Sequence, residues 1–275
     1  MSYIDFVSDP TRRCAIVAHR GAWHGAPENS LAAIENAIRI GADIVEIDVR
    51  KSADGILFLM HDETLLRMAG IDREAESMTM AELQEIALRA DDGGEDNPLT
   101  DQRIPTLSQS LEAIRGRIFA DLDLKDRSLF PEVAACVRDL NATAYVDLKT
   151  TVMTPEHVAW VRAQDIPDLP FMAMSTFTRQ ETSSTLAVLA ELRPFMSEIR
   201  FDAIDTIADN REAFQRAGMA LWKNTLDQAN SGTWTDTAAL ADPDKIWGRL
   251  ISAGISAIQT DQPEALKTYL EERAA

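Results

Sequence analysis

Cysteine and basic charge are both scarce in this 275-residue chain. There are two cysteines, Cys14 and Cys136. They show no metal-ligand or redox spacing, which argues against a disulfide scaffold and a thiolate metal site. Cys14 sits in an apolar strand-like run and Cys136 in a helical pattern, so both read as core residues. Lysine and arginine total 27 against 45 acidic residues, a net charge of −18. No basic stripe is present. Nucleic acid and anionic membrane surfaces are therefore poor partners, although a small anion could bind at a local positive site. No apolar run approaches the ~18 residues of a transmembrane helix, so stable membrane anchoring is not expected. The opening "MSYIDFVSDPTRRC" lacks a charged segment followed by an apolar run. It does not read as a signal peptide, and the expectation is a reduced, cytoplasmic protein. Nothing in the sequence speaks to oligomeric state.

The chain carries a strand–helix rhythm. "CAIVAH" (14–19) reads as a first strand. A helix follows from Ser30, with Leu31, Ile34 and Ile38 at helical spacing and Gly41 at its end. "ADIVEIDV" is the second strand. Asp54-Gly55 then marks a β-hairpin ending at His61. Residues 62–105 form a long excursion with a helix predicted over 79–90, opened by a capping box of Thr79 and Glu82. Its acidic run "DDGGED" (91–96) reads as a solvated loop. A second box, Thr106 with Gln109, opens a helix through Ile114. Further strands are predicted at 117–123, 143–148, 170–174, 196–201, 219–222 and 255–259. Helices are predicted near 131–140, 155–163, 179–192, 209–217 and 243–253. Setting the hairpin arm aside, eight strands alternate with helices over roughly 250 residues. The expectation is an α/β (β/α)8 TIM barrel, one domain over 1–275, with a β-hairpin and a small helical insertion, about 62–105, after strand two. A doubly wound open sheet is the alternative, and no glycine-rich phosphate loop supports it.

"VEIDVR" (45–50) raises the chemical question. Val45, Ile47 and Val49 form one strand face, and Glu46 and Asp48 project from the other, about 7 Å apart along the chain. Paired carboxylates in a buried strand are costly without a positive partner. Barrel active sites lie at the C-terminal ends of the strands. There the sequence places His19-Arg20, Glu46 and Asp48, His61-Asp62, Asp121, Asp123 and Lys125, Asp147 and Lys149, Trp222, and Thr260-Asp261. Glu46, Asp48 and Asp123 form an oxygen-only ligand set suited to one divalent cation, Mg²⁺, Ca²⁺ or Mn²⁺. Arg20 and Lys125 add positive charge for phosphate oxygens. His19 and His61 complete an acid–base pair. Together these residues point to metal-assisted cleavage of a phosphate ester.

The sequence resembles the glycerophosphodiester phosphodiesterase family. The resemblance is carried by "AHRGAWHGAPENS" (18–30), "GADIVEIDVRKSADGILFLMHDETLLR" (41–67), "RIPTLSQSLEAI" (103–114), "ADLDLK" (120–125), "ALWKNTL" (220–226) and "GISAIQTDQPEAL" (254–266). These run in family order over nearly the whole chain, and residues 145–215 match only loosely. The resemblance implies that His19 and His61 are the acid–base histidines and Arg20 a phosphate-contacting arginine. Glu46 and Asp48 match the paired metal carboxylates. Asp123 stands where the family usually has a glutamate, one methylene longer. Lys125 matches the family lysine two residues on, and Trp222 a tryptophan near the glycerol end of the substrate. The implied reaction releases glycerol phosphate and an alcohol from a small-molecule phosphodiester. A lysophospholipase D-type or cyclic-phosphate-forming activity, and a barrel that binds without turnover, stay open. So do the metal, the alcohol, the nucleophile and the division of labour between the histidines.

Overall fold

A computed structural model describes residues 1–228 and 232–274. Its strands are β1 (Ala15–His19), β2 (Ile44–Lys51), β3 (Leu57–Leu59), β4 (Ala87–Arg89), β5 (Leu99–Arg103), β6 (Phe119–Leu124), β7 (Val146–Thr151), β8 (Phe171–Phe177), β9 (Met196–Phe201), β10 (Ala220–Asn224) and β11 (Ala257–Thr260). The main sheet runs β1-β11-β10-β9-β8-β7-β6-β2-β3, and β1 also pairs with β2. Eight parallel strands with helices between them form the expected (β/α)8 barrel, and β3 is the hairpin arm. Contacts group the chain into two compact units, Ala18–Val146 and Met1–Val17 with Asp147–Ala275.

In the unit Ala18–Val146, β2 and β6 pair in parallel with Glu46 opposite Asp121 and Asp48 opposite Asp123. Val45, Ile47 and Val49 are completely buried, as are Ala120 and Leu122. The two-residue period therefore puts the acidic side chains of both strands on the other face. The Asp54-Gly55 turn forms as expected: the Ser52 hydroxyl accepts the Ile56 N–H (2.9 Å) and bonds Asp54 Oδ1 (2.7 Å). It folds β3 antiparallel onto β2, with Val49 opposite Leu59. The Met60 N–H donates to the Asp48 carbonyl (3.1 Å), so His61 leaves the hairpin beside the acidic pair.

The excursion 62–105 holds the helix Leu66–Ala69 and the helix Met80–Gln84, the latter opened by the Thr79–Glu82 capping box. That helix stops six residues short of the predicted 90. Residues 87–89 form β4 instead, antiparallel to β5. Leu88 is buried in a small core with Phe58, Met60, Leu65, Met68 and Leu83, and its carbonyl accepts the Thr100 hydroxyl (2.8 Å). A short apolar run fits either period, and strand pairing decided it.

The unit formed by Met1–Val17 and Asp147–Ala275 repeats strand and helix through β7–β11. The strand predicted over 143–148 starts at Val146, after the left-handed Asn141. The helix predicted over 209–217 forms at Arg211–Arg216, and an additional short helix, Ile204–Ala208, precedes it. The helix over 243–253 begins as a wide π turn, Asp244–Gly248, before Arg249–Ala253. Cys14 is buried, Cys136 is half-buried, and both are free thiols. Among the described residues no helix is long and apolar enough to cross a membrane.

Candidate active site

The unit Ala18–Val146 brings Glu46, Asp48 and Asp123 together. Each offers a carboxylate oxygen, and these oxygens lie within 4.8 Å of one another. Glu46 and Asp48 are buried, and Asp123 is half-buried at the end of β6. Asp48 is the most heavily held. Lys125 Nζ lies 2.6 Å from its Oδ1, and Arg20 Nε lies 3.3 Å from its Oδ2. Asn29 Nδ2 donates to Asp48 Oδ2 (2.7 Å), and the Asp48 N–H donates back to Asn29 Oδ1 (3.0 Å). Burial alone would push the Asp48 carboxyl up. The charges of Lys125, Arg20 and His61 outweigh it and hold the group well below the usual carboxylate range. Lys125 also reaches Asp123 Oδ2 (2.7 Å). Burial would lower its ammonium, but Asp48, Asp123 and Glu46 raise it.

The turn after β1 delivers Arg20. The chain takes a left-handed conformation at Arg20 (φ 55°), Gly21 (φ 85°) and Asn29 (φ 55°). Two of these are not glycine, a strained arrangement of the kind found where side chains must be aimed. Gly21 has a second constraint: a Cβ there would meet Ala33 at 2.7 Å. The Arg20 N–H donates to Glu46 Oε2 (3.1 Å), and the Arg20 carbonyl accepts the Asn29 N–H (2.9 Å). His19, the last residue of β1, is thus set directly before a backbone group bonded to Glu46. Arg20 Nη1 lies 3.1 and 2.9 Å from the two oxygens of Glu28. Its burial opposes the charge, and Glu28, Asp48 and Glu46 restore it.

His61 is oriented from one side. Its Nδ1 lies 2.7 Å from Asp62 Oδ1. A carboxylate only accepts, so Nδ1 carries the hydrogen and Nε2 is left to exchange a proton. Burial would raise the Asp62 carboxyl, but hydrogen bonds from His61 and Arg67 drive it well below the usual range. Glu28 pairs with Arg20, as its place in the first loop allows, while Asn29, Asp62 and Arg67 are neighbours whose contacts sequence reasoning left out. Glu28 and Asn29 stand in "PENS" and Arg67 ends "HDETLLR", but no spacing rule ties residue 28 to residue 67.

The acidic run 91–96 is not simply solvated. Asp91 Oδ1 accepts the Gly25 N–H (2.6 Å), the Asp91 carbonyl accepts the Glu28 N–H (2.9 Å), and the Asp92 carbonyl accepts from Arg67 Nη1. Gly93 is buried against Arg67 and Met68, and only Glu95 and Asp96 in this run are fully exposed. Backbone donors nearby, invisible in a charge count, pulled the loop inward.

The residues present fit a hard divalent cation. All three candidate ligands are carboxylates, and Asp121 projects from the same face of the sheet. Arg20 and Lys125 do not balance that charge, and a doubly charged ion with oxygen ligands would. Trp222 lies in the other unit. It is completely buried, and its indole N–H donates to Asn224 Oδ1 (2.7 Å) and Gln259 Oε1 (3.1 Å). Lys149 Nζ stands 5.8 Å from the Trp222 ring and 3.2 Å from Glu198 Oε2.

The chain is similar to several known proteins. Glycerophosphodiester phosphodiesterase 1 of Mus musculus is 36% identical over 120 residues, 43% of this chain and 36% of its own length. The matched part spans less than half the length of such curated relatives. A glycerophosphodiester phosphodiesterase of Agrobacterium tumefaciens has a solved structure that is 27% identical. It covers 93% of this chain and 99% of its own at a TM-score of 0.68. A phosphodiesterase of Oleispira antarctica, solved with the product sn-glycerol-3-phosphate, is 24% identical over 94% of this chain and 96% of its own, also at 0.68. Residues 171–270 match a family described as a domain of unknown function. In its fold, its motifs and these relatives, the chain is similar to glycerophosphodiester phosphodiesterases.

Proposed function

We propose that this chain hydrolyses small, water-soluble glycerophosphodiesters to glycerol phosphate and an alcohol, with one divalent cation and the histidines His19 and His61. One observation carries the reading: Glu46, Asp48 and Asp123 converge within 4.8 Å, faced by Arg20 and Lys125, with the imidazole of His61 held in one tautomer beside them. Glu46, Asp48 and Asp123 would hold the cation, which when bound supplies Lewis-acid stabilisation of phosphoryl oxygens.

The protein's own groups do the rest. Arg20 presents a guanidinium already oriented by Glu28 and Asp48, suited to phosphoryl oxygens and to the charge that grows on them in the transition state. Lys125 adds a second fixed charge. His61, with Nδ1 bonded to Asp62, exchanges a proton at Nε2. His19 supplies the complementary proton transfer, so that one histidine activates the nucleophile and the other protonates the leaving alkoxide. The glycerol phosphate held by the Oleispira antarctica relative supports a substrate of this class. The net charge of −18 disfavours nucleic acid, and the free thiols Cys14 and Cys136 fit a reducing cytoplasm.

The test is a substrate panel of glycerophosphocholine, glycerophosphoethanolamine and lysophospholipids, each with Mg²⁺, Ca²⁺ and Mn²⁺. Release of glycerol phosphate from the water-soluble diesters is expected. Turnover of lysophospholipids alone, or a cyclic phosphate as the end product, would replace this reading.

A further inference from the structure

Arg67 belongs to the excursion after the hairpin, in the helix Leu66–Ala69, and nothing above gives it a role. Its guanidinium joins two carboxylates. Nε donates to Asp62 Oδ2 (2.8 Å) and Nη2 to Asp62 Oδ1 (2.9 Å). Nη2 also donates to Glu28 Oε1 (2.7 Å) and Nη1 to Glu28 Oε2 (2.9 Å). Each carboxylate has a second duty. Asp62 Oδ1 receives His61 Nδ1, and Glu28 receives Arg20 Nη1. The result is a continuous chain: His61, Asp62, Arg67, Glu28, Arg20.

We infer that Arg67 is a positioning residue that sets the His61 imidazole and the Arg20 guanidinium relative to each other. The inference rests on the roles proposed for those two side chains. The chemistry of the fork supports it. A guanidinium offers five N–H groups in a rigid plane and can hold two carboxylates at a fixed angle, which an ammonium cannot. Glu28 is buried, whereas Arg67 is partly exposed. The excursion fixes the arginine itself. The Gly94 N–H donates to the Arg67 carbonyl (2.8 Å), and the Asp92 carbonyl accepts from Nη1. At Gly93 (φ 77°) a Cβ would lie 2.6 Å from the Arg67 carbonyl oxygen. The neighbouring Asp91 carbonyl holds the Glu28 N–H. The acidic loop thus grips both Arg67 and one of its two partners, and a displacement of the loop reaches both His61 and Arg20.

The experiment compares Arg67→Met and Arg67→Lys with the wild type. Three quantities are measured: kcat and KM for glycerophosphocholine, the thermal midpoint, and the His61 Nδ1–H signal by nitrogen-15 NMR of the substrate-free protein. In Arg67→Met, kcat should fall about 100-fold, the cost of roughly an ångström of misplacement. The His61 Nδ1–H signal should broaden or vanish. Arg67→Lys keeps the charge without the fork and should keep the thermal midpoint while recovering only part of kcat. It carries the test if Arg67→Met does not fold. Adding methylguanidinium to Arg67→Ala should restore part of the activity. A lowered midpoint with unchanged kcat and an unchanged His61 signal would show that Arg67 is merely structural. Full recovery of kcat by lysine would also overturn the proposal. If the wild type turned over none of the diesters, the functional reading would fall by itself. The NMR comparison, which needs no substrate, would still decide whether Arg67 holds His61.

Discussion

Asp48 and Asp236 are the same residue with the same burial, each 1% exposed, and they behave oppositely as acids. Asp48 is faced by Lys125, Arg20 and His61, and its carboxyl is held far down. Asp236 is the first residue of the helix Asp236–Ala241. It receives the hydroxyls of Thr225 and Thr260, both at 2.6 Å, and the Asp261 N–H at 2.7 Å. Burial raises it to about 6, and those hydrogen bonds only partly offset the rise, with Asp261 opposing them. Hydrogen bonds satisfy an acid's oxygens, but nearby cations are what keep it ionised once water is gone. The first carboxylate is equipped to stay charged, as the proposed cation site requires. The second ties strand ends and a helix start together.

The widest separation between them should appear in catalysis. General acid–base groups contribute about 10²–10⁴ in rate, so His19→Ala and His61→Ala should each lower kcat by at least that order. Asp236→Asn should leave kcat close to wild type. Steady-state assays on purified variants measure both, and near-normal turnover in either histidine variant would break the assignment. A smaller effect should appear in stability. A divalent ion at about 100 times its Kd would stabilise the folded protein by about 2.7 kcal/mol through binding alone. Thermal melts with and without the ion should show this in the wild type and in Asp236→Asn. The shift should vanish in Asp48→Asn and Glu46→Gln. Chelator should abolish turnover and added ion restore it. A melt that ignores divalent ions, or a shift surviving in Asp48→Asn, would move the cation away from these carboxylates.

Much of the first site was legible because it is written in strand periodicity. Glu46 and Asp48 alternate with valine and isoleucine, and Asp121 and Asp123 alternate with leucine. Such alternation states which side chains share a face before any contact is known. The capping boxes at Thr79 and Thr106 were legible for a similar reason, since their partners are three residues away. The bond between Glu28 and Arg67 was not, because it joins residues 39 positions apart through the fold. The acidic run 91–96 misled because composition records charge and says nothing of the backbone N–H groups that recruit Asp91. Asp236 gave no signal for a related reason. An aspartate opening a helix is ordinary, and only the convergence of Thr225, Thr260 and Asp261 around it removes it from water.

The smallest effect tests Asp236 itself. Its folded value, about 6, lies above the ordinary 3.8 expected when unfolded. Between those values the folded protein keeps a proton that the unfolded chain releases. Stability from this group is therefore fully present below about pH 4 and is lost as pH rises through about 6. From pH 5 to pH 7 the loss amounts to about 1 kcal/mol. Asp236→Asn has no proton to lose there. Urea unfolding at pH 5, 6 and 7 should therefore show a wild-type stability that falls relative to the variant by that amount. The opposite slope is expected of Asp48, whose depressed value makes its contribution present at neutral pH and lost only in strong acid. Parallel pH profiles for wild type and Asp236→Asn would mean that Thr225, Thr260 and the Asp261 N–H stabilise the anion as well as the cations around Asp48 do.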